Sequence, residues 1–241
     1  MSKRLEAVAF RESQRSSGPV HRSIIAVDIE GSTTRTNPVK GEIRRAMYDL
    51  VEHVLEAVAI TGDCLEPLTD RGDGVLVLIR PHDDVPKTVL LDRLVPLLAA
   101  RIAEHNTQTP MPALRIRLRV VVHAGEVHLD MRGWYGEAID IAIRLLDAPP
   151  VKRALKQATA PLVLVVSDEI YTGLVCQGYV NPATYHRLVR VRVGSRLHDG
   201  WVHVPELDVV PFTAPAAPDR RVAATIGRNW GTVTDRTAAA G

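Results

Sequence analysis

Two aspartates stand where carboxylates could bind divalent metal ions. Asp28 ends a short, nearly all-apolar run that begins at Arg22, and Asp73 closes the polar turn Asp70–Asp73. Mg²⁺ and Mn²⁺ prefer oxygen ligands and bridge them to substrate phosphates, so a facing pair of carboxylates would suit phosphoryl chemistry. Taken singly, each aspartate is more often a cap or a turn residue. The metal interpretation therefore depends on a fold that brings the two together.

The residues after Asp28 form a candidate anion site. Ile29 leads into the short turn of Gly31, Ser32 and Thr33, which feeds the first predicted helix. Free backbone N–H groups at a helix N-terminus attract anions, and several in succession suit a triphosphate. The turn is therefore predicted to contact phosphate groups beside the candidate metal ligands.

Hydrophobic spacing predicts the elements that would position these residues. A buried strand over 22–28 precedes a helix that opens at Asn37 and Pro38, with Asn37 as its cap. The turn at Asp70–Asp73 is predicted to join strands over 64–69 and 74–79. The other predicted elements are a helix over 84–105 kinked at Pro96, a strand over 114–122 turning at 123–126 into another strand, a helix over 136–146, a strand over 161–166, a short helix from 167, and a strand pair over 187–193 and 200–204.

The strand over 114–122 alternates between apolar and basic residues, which predicts an inward apolar face and an outward basic face. The basic face is expected to lie under an amphipathic helix rather than to bind nucleic acid. The inward residues would be Leu114, Ile116, Leu118, Val120 and Val122, and the outward ones Arg115, Arg117 and Arg119.

The order β-α-β-β-α-β is the ferredoxin-like pattern. In that fold the first strand is central and pairs with the strand after the hairpin turn, so Asp28 and Asp73 would meet at one edge of the sheet. We predict an α/β (α+β), ferredoxin-like domain over residues 21–210 with additional C-terminal strands. Residues 1–20 are predicted to form a flexible arm, and residues 211–241 a Pro/Ala-rich tail with an apolar island around Trp230.

Composition excludes several classes of protein. The 241 residues carry a net charge of +2, which argues against a basic surface for nucleic acid. Two cysteines are too few for a disulfide framework or a thiolate metal cage. No stretch approaches the roughly 20 uninterrupted apolar residues of a membrane helix, and residues 1–20 lack the apolar core of a secretory signal. We therefore predict a cytoplasmic protein that binds neither nucleic acid nor membrane.

Four stretches, in order, resemble the class III nucleotide cyclases. Ile25–Thr33 resembles the first metal motif of that family, and Thr69–Gly74 resembles its second, a Gly-Asp in a hairpin. Leu118–Glu126 is similar to its strand ending in His-x-Gly, and Gly136–Leu145 to its helix Gly-x-x-Val-Asn-x-Ala-x-Arg. Within the family the chain most resembles the stand-alone bacterial pyrimidine (uridylate/cytidylate) cyclases of Pycsar anti-phage systems, which act on UTP or CTP.

The resemblance implies a role for each matching residue. Asp28 and Asp73, helped by the backbone carbonyl of Ile29, would hold two Mn²⁺ or Mg²⁺ ions per site, and turn residues 31–33 would contact the β- and γ-phosphates. Arg144 would stabilise charge on the α-phosphate as the 3′-oxygen attacks. Sites in this family form between two chains, so a homodimer is implied in which Arg144 reaches the partner's metals. Without the resemblance, an i,i+4 ion pair on the helix surface is the simpler role for Arg144.

Three substrate-orienting positions depart from the adenylate-forming pattern. Thr69 stands where those enzymes carry a base-reading Lys, Gly133 where they carry an Asp or Thr, and Asp140 where an Asn orients the ribose. Because the metal carboxylates are kept while the pocket differs, the pattern favours a different base over an inactive domain. Tyr135 or Trp134 would fill the space beside a smaller pyrimidine ring; packing in the core or at the dimer interface is an equally open role.

We therefore expect a nucleotide cyclase, a phosphorus–oxygen lyase that converts a nucleoside triphosphate, UTP first, to a 3′,5′-cyclic nucleotide (cUMP) and pyrophosphate. The product would be a second messenger in anti-phage defence, read by a separate cyclic-nucleotide-binding effector. Two alternatives stay open: an adenylate cyclase with atypical base contacts, and a catalytically inactive regulatory module. His123 is expected to be structural, and Arg190 and Arg192 to lie on a solvated strand face.

Overall fold

A computed structural model describes residues 18–205 of the chain. Its strands are β1 (Val20–Ile29), β2 (Thr69–Asp70), β3 (Gly74–Ile79), β4 (Leu118–Asp130), β5 (Gly133–Tyr135), β6 (Leu162–Ser167), β7 (His186–Val193) and β8 (Arg196–His203). They form one sheet in the order β2-β3-β1-β4-β6-β8-β7, with β5 paired to β4. Strand β1 is central and antiparallel to both β3 and β4, whereas β4 and β6 are parallel. The predicted mixed α/β fold with a central first strand is confirmed.

Helices cover both faces of this sheet. They are α1 (Asn37–Ala57), α2 (Val95–Gln108), α3 (Glu137–Leu146), α4 (Pro149–Gln157) and α5 (Asp168–Ile170). A π-helical turn, Leu90–Leu94, precedes α2, and a second, Tyr171–Val175, continues α5. Short 3₁₀ turns lie at Ser32–Thr34, Gly62–Cys64, Pro112–Leu114 and Pro182–Thr184.

Alternate residues of β1 enter two different cores. Ile25, Val27 and Ile29 pack in the core that α1 and α2 cover, and Ile24 and Ala26 pack in the core that α3 and α4 cover. A strand buried on both faces has no polar side, which explains its nearly all-apolar sequence. The central strand therefore delivers Asp28 to the sheet edge from a rigid, doubly covered position.

The strand predicted over 64–69 does not form as such. Only Thr69 and Asp70 pair with β3, and Leu65 makes a single bridge to Ile79. Pro67 lies between them and has no N–H to donate, so a continuous ladder cannot run through it. The hairpin next to the candidate site is consequently short.

The turn predicted at 123–126 is wrong. Strand β4 continues through these residues to Asp130, because β1 begins at Val20 and pairs with Val127. The chain reverses only after Asp130, whose carboxylate accepts hydrogen bonds from the N–H groups of Arg132 and Gly133. A single long strand therefore links the candidate site to the β4–β5 hairpin.

Helix boundaries also differ from the predicted ones. Thr36, not Asn37, is the cap of α1. The helix predicted over 84–105 is regular only from Val95. The π-helical turn Leu90–Leu94 lies just before Pro96, which cannot donate a backbone hydrogen bond to that turn and whose ring disturbs it. Helix α4 was not predicted.

The described residues fall almost wholly within the predicted 21–210 domain. The predicted arm, apart from residues 18–20, and the tail with Trp230 lie outside the described residues. Among residues 18–205, no helix is both long and apolar enough to cross a membrane.

Candidate active site

The sheet edge where β1 ends brings the two predicted metal carboxylates together. Asp28 is in register with Gly74 on β3, the residue after Asp73. The backbone N–H of Ile29 donates a hydrogen bond to the carbonyl of Asp73 at 3.1 Å. Both aspartates line one cavity of about 390 Å³. Their proximity follows from the fold as predicted; their role as metal ligands stays a prediction.

Gly74 permits the close approach of β3 to β1 at this point. A Cβ atom at Gly74 would collide with the carbonyl oxygen of Val27. Gly72, in the turn before it, has a φ of 78°, a conformation that side chains disfavour. The two glycines on either side of Asp73 thus let the hairpin hold that carboxylate against the end of β1.

The predicted phosphate turn lies along the same cavity. Gly31 has a φ of 67° and begins the 3₁₀ turn, and the hydroxyl of Ser32 donates to the Asp73 carboxylate. Within residues 18–205, no acceptor is bound by the backbone N–H groups of Gly31, Ser32 or Thr33. All three residues line the cavity. The turn can therefore offer N–H donors to an anion beside the two carboxylates.

Arg119 lies on the predicted outward, basic face of the strand over 114–122, and helices cover this face as expected. The residue is only 9% exposed, because α3 and α4 pack on this side of the sheet. The guanidinium forms an ion pair with Asp28 across β4 and β1, and one nitrogen lies 3.9 Å from the carboxylate of Asp147. Burial lowers the pKa of Arg119, against the opposing effect of Asp147. Its Nε is buried with no hydrogen-bond partner within residues 18–205.

Arg117 is partly buried on the same face, and Arg115 alone of the three is exposed. The Nε of Arg117 donates to Glu30 at 2.8 Å, and its Nη2 donates to the carbonyls of Leu155 and Ala158. This residue therefore ties the segment after Asp28 to the C-terminal end of α4.

Part of the cavity wall comes from α3, the residue after it and α4. It includes Ile143, Asp147 and Lys152, together with Arg71 from the hairpin turn. None of these, nor Arg119, was predicted as a site residue. The usable signals were the apolar spacing of Val151 and Leu155, which marks α4, and the expected helix over the outward face of the strand over 114–122, which places Arg119 beneath it.

The predicted base and ribose residues do not line this cavity. Thr69 begins β2, Gly133 begins β5, and Tyr135 stacks on His128 with ring centroids 5.3 Å apart. Asp140 is exposed on α3. The residues that the resemblance implies therefore divide into two groups on one chain, with the metal and phosphate residues in the cavity and these four outside it.

Arg144 belongs to the second group. It is exposed on α3 and does not line the cavity that contains Asp28. The i,i+4 ion pair to Asp140 is not formed, and Arg144 has no ion pair to any of residues 18–205. Within this part of the chain, its guanidinium is therefore not neutralised by a neighbouring carboxylate.

Trp134 and His123 are held by contacts with other side chains of the domain. The guanidinium of Arg22 lies over the Trp134 ring, 5.3 Å from its centroid, and Trp134 packs against the core that α3 and α4 cover. His123 is 2% exposed and its Nδ1 lies 2.7 Å from the Ser167 hydroxyl. Arg190 pairs with Asp199 on the exposed β7–β8 hairpin. These contacts agree with the structural interpretation of Trp134, His123 and Arg190.

The donors in the cavity suit hard divalent cations, although no cluster of three or more metal-binding side chains exists among residues 18–205. Asp28, Asp73 and the Ile29 carbonyl supply only oxygen, the ligand that Mg²⁺ and Mn²⁺ prefer. So few protein ligands leave most coordination positions to water and substrate phosphate, which is usual for Mg²⁺. The Nε of Arg119 is buried without a hydrogen-bond acceptor among the described residues, and a phosphate oxygen would provide one. The residues present therefore fit a metal–triphosphate complex.

Comparison with known proteins identifies the fold. No protein-family model and no curated protein matches the sequence. Solved structures do match. An adenylate/guanylate cyclase/hydrolase from Silicibacter pomeroyi is 19% identical, with a TM-score of 0.53, over 78% of this chain and 98% of that one.

Two further matches are cyclase domains. The adenylyl cyclase CyaB from P. aeruginosa is 12% identical, with a TM-score of 0.54, over 78% of this chain and 95% of that one. A dimeric guanylyl cyclase domain of the RhoGC fusion protein from the aquatic fungus Blastocladiella emersonii is 14% identical, with a TM-score of 0.51, over 77% of this chain and 97% of that one. Identities this low support a conclusion about architecture alone: the chain has the fold of adenylate and guanylate cyclase catalytic domains.

Proposed function

We propose that this protein is a nucleotide cyclase that converts a nucleoside triphosphate to a 3′,5′-cyclic nucleotide and pyrophosphate. The observation that carries the proposal is the shared cavity in which Asp28 and Asp73 lie beside the free N–H groups of turn residues 31–33. Carboxylates for divalent cations and donors for phosphate oxygens are the two requirements for binding a metal–triphosphate complex. The cyclase fold supplies the reaction type.

Asp28, Asp73 and the Ile29 carbonyl would hold two Mn²⁺ or Mg²⁺ ions. When bound, such ions neutralise the triphosphate and favour ionisation of the 3′-hydroxyl. Gly31, Ser32 and the neighbouring N–H groups hold the β- and γ-phosphates in place. The chain's own contribution is thus positional and electrostatic.

Arg119 and Arg144 provide the cationic side chains. Arg119 turns its unpartnered Nε toward a phosphate oxygen and gives up Asp28 to do so. As the 3′-oxygen attacks the α-phosphorus, the bond from that phosphorus to the bridging oxygen breaks and pyrophosphate leaves. Arg144 stabilises the negative charge that develops on the α-phosphate.

A homodimer would complete the site. Arg144 and Asp140 lie outside the cavity that contains the metal carboxylates, which supports an arrangement in which a second copy of the chain supplies them. The β4–β5 hairpin exposes apolar surface that a partner could cover, with Leu129, Met131 and Tyr135 exposed by 41, 78 and 47%. In this arrangement each dimer contains two sites, and each site uses both chains.

The base is proposed to be a pyrimidine, with UTP first. Thr69, Gly133 and Asp140 replace the groups that would read adenine and orient its ribose in adenylate-forming enzymes, and Tyr135 would occupy space beside a smaller ring. A pocket built for one set of donors rejects another base because buried polar groups go unpaired. The cyclic product, cUMP, would act as a second messenger in anti-phage defence through a separate effector.

A catalytically inactive regulatory module is the second candidate. It is favoured by one observation, the ion pair in which Arg119 occupies the carboxylate of Asp28. An adenylate cyclase with atypical base contacts is the remaining enzymatic alternative.

Incubation with each of the four nucleoside triphosphates and Mn²⁺, followed by mass identification of products, distinguishes these possibilities. We expect cUMP as the main product. A cyclic purine as sole product would refute the pyrimidine proposal, and absence of any cyclic product would favour the inactive module.

A further inference from the structure

Four charged side chains of alternating sign follow one another along the cavity wall. Asp28 pairs with Arg119, Arg119 lies 3.9 Å from Asp147, and the Asp147 carboxylate lies 3.0 Å from the Nζ of Lys152. All four line the cavity that also contains Asp73. The two residues at the far end, Asp147 and Lys152, have no role in the proposed function.

The position of Lys152 is fixed by the helix that carries it. Val151 and Leu155 are fully buried in the second core, and Arg117 binds the carbonyl oxygens at the end of α4. With its apolar side held in this way, α4 presents Lys152 to the cavity, while Arg153 and Lys156 are exposed and do not line it. Lys152 therefore differs from its basic neighbours in position and not in charge.

The charges lining the cavity are balanced before any ligand binds. Three acidic residues, Asp28, Asp73 and Asp147, face three basic ones, Arg71, Arg119 and Lys152. If divalent cations take Asp28 and Asp73, Arg119 is released and the wall formed by Arg119 and Lys152 becomes net positive. The Lys152 side chain is 44% exposed, so its ammonium can contact a phosphate oxygen while Asp147 still holds it at the cavity wall. A flexible ammonium of this kind suits the outer oxygens of a phosphate chain.

We propose that Lys152 binds the terminal phosphates of the nucleotide and the pyrophosphate product, and that Asp147 is a positioning residue that holds Lys152 and Arg119 toward them. This inference rests on the proposed function for the identity of the ligand. It assigns recognition of the phosphate chain to α4 as well as to the Gly31–Thr33 turn, which lines the same cavity.

The test measures binding of inorganic tripolyphosphate in the presence of Mn²⁺ by calorimetry, which requires no catalysis. Lys152→Ala should weaken binding about tenfold, Lys152→Arg should restore most of it, and Asp147→Asn should weaken it severalfold. Arg153→Ala and Lys156→Ala, on the same helix, are the matched controls and should bind as the wild type does. Because Lys152 is partly exposed, thermal melting of its variants should match that of the wild type.

Kinetics provides the second measurement. For the nucleotide that the wild type cyclises, Lys152→Ala should raise KM and the inhibition constant of pyrophosphate about tenfold relative to Lys156→Ala. Equal tripolyphosphate affinity in Lys152→Ala and Lys156→Ala would overturn the assignment of Lys152, whether or not the protein is a cyclase. Lys152-dependent binding of tripolyphosphate without any cyclic product would uphold the assignment and overturn the proposed function.

Discussion

Arg119 forms an ion pair with Asp28 across the neighbouring strands β4 and β1, at the point where the central strand ends. The guanidinium therefore occupies the carboxylate that a metal ion would need. Because Asp147 lies 3.9 Å from the same nitrogen, Arg119 has a second carboxylate close by when it leaves Asp28. This exchange predicts that Arg119 weakens the binding of metal alone and strengthens the binding of the metal–nucleotide complex.

Arg119→Gln should bind Mn²⁺ alone more tightly, about tenfold, since the competing cation is gone. The same variant should bind the Mn²⁺–nucleotide complex roughly tenfold more weakly, because the phosphate loses a charged donor. Titration of Mn²⁺ with and without a nonhydrolysable nucleotide measures both changes. Arg115→Gln, exposed on the same stretch of chain, should change neither affinity. If both affinities fell together, the competition between Arg119 and metal would be disproved.

A site shared between two chains predicts complementation of inactive variants. Asp73→Asn removes a metal ligand and Arg144→Gln removes the group supplied by the partner, so each alone should lose at least a hundredfold in kcat. When the two are mixed and allowed to exchange subunits, one site of each mixed dimer is intact. Activity should return to about a quarter of the wild-type value.

The control mixture combines Asp73→Asn with Asp28→Asn. Both changes damage the same half of the site, so every site in a mixed dimer stays defective and activity should not return. Recovery in this control, or no recovery in the Arg144 mixture despite a dimer by size-exclusion chromatography, would contradict the shared site.

Much of the fold could be predicted because its signals are local. The apolar run before Asp28 and the helical spacing of Ile43, Met47 and Val54 correspond to β1 and α1. The predictions failed where pairing between strands that are distant in sequence determines the local structure. Residues 123–126 stay extended because β1 pairs with them, and the segment around Pro67 does not extend because proline cannot donate to a ladder.

For the site, the sequence indicated its anionic half better than its cationic half. Asp28 and Asp73 could be placed together from topology, because an aspartate at a strand end or in a turn depends on few neighbours. Arg119 could be placed on the outward, helix-covered face of its strand, but its ion pair with Asp28 could not be predicted, because that pair depends on the register of β4 against β1. Lys152 was not placed because α4 has only 9 residues, so the apolar spacing of Val151 and Leu155 spans little more than one turn and is a usable but weak signal for a helix.

Gly74 offers a test of the geometry beside Asp28. Gly74→Ala should destabilise the protein by about 2–3 kcal/mol, because the added methyl group meets the carbonyl oxygen of Val27. Gly41→Ala, in α1 with open space around it, should be neutral or stabilise by up to about 1 kcal/mol. Urea unfolding measures both, and equal stability of the two variants would show that β1 and β3 are farther apart than described.

The ion pairs of Glu66, which lie outside the candidate site, predict that the stability of the folded protein depends on pH. Hydrogen bonds from Arg80, with a further contribution from Arg22, hold the pKa of this buried carboxyl below its ordinary value. A lowered pKa stabilises the folded protein above the unfolded-state pKa of about 4.3, and this stabilisation is lost as the pH falls below it.

Glu66→Gln should therefore cost about 2–3 kcal/mol at pH 7, and its difference from the wild type should shrink as the pH is lowered from 5 to 3. The exposed Glu104→Gln, which breaks an i,i+3 pair with Arg101, should cost less than about 1 kcal/mol at any of these pH values. Chemical unfolding across this range is the measurement. A difference that stayed constant with pH would argue against an ionised Glu66 as the source of stability.

The central claim is that Asp28 and Asp73 together support cyclisation of a nucleoside triphosphate, and one assay tests it most directly. Purified wild type, Asp28→Asn, Asp73→Asn and the exposed control Asp63→Asn are incubated with UTP, CTP, ATP or GTP and Mn²⁺, and cyclic products are quantified by mass spectrometry. The account predicts cUMP from the wild type and from Asp63→Asn, and at least a hundredfold less from Asp28→Asn and Asp73→Asn. Cyclic product at equal rates from all four proteins, or from none of them, would contradict it.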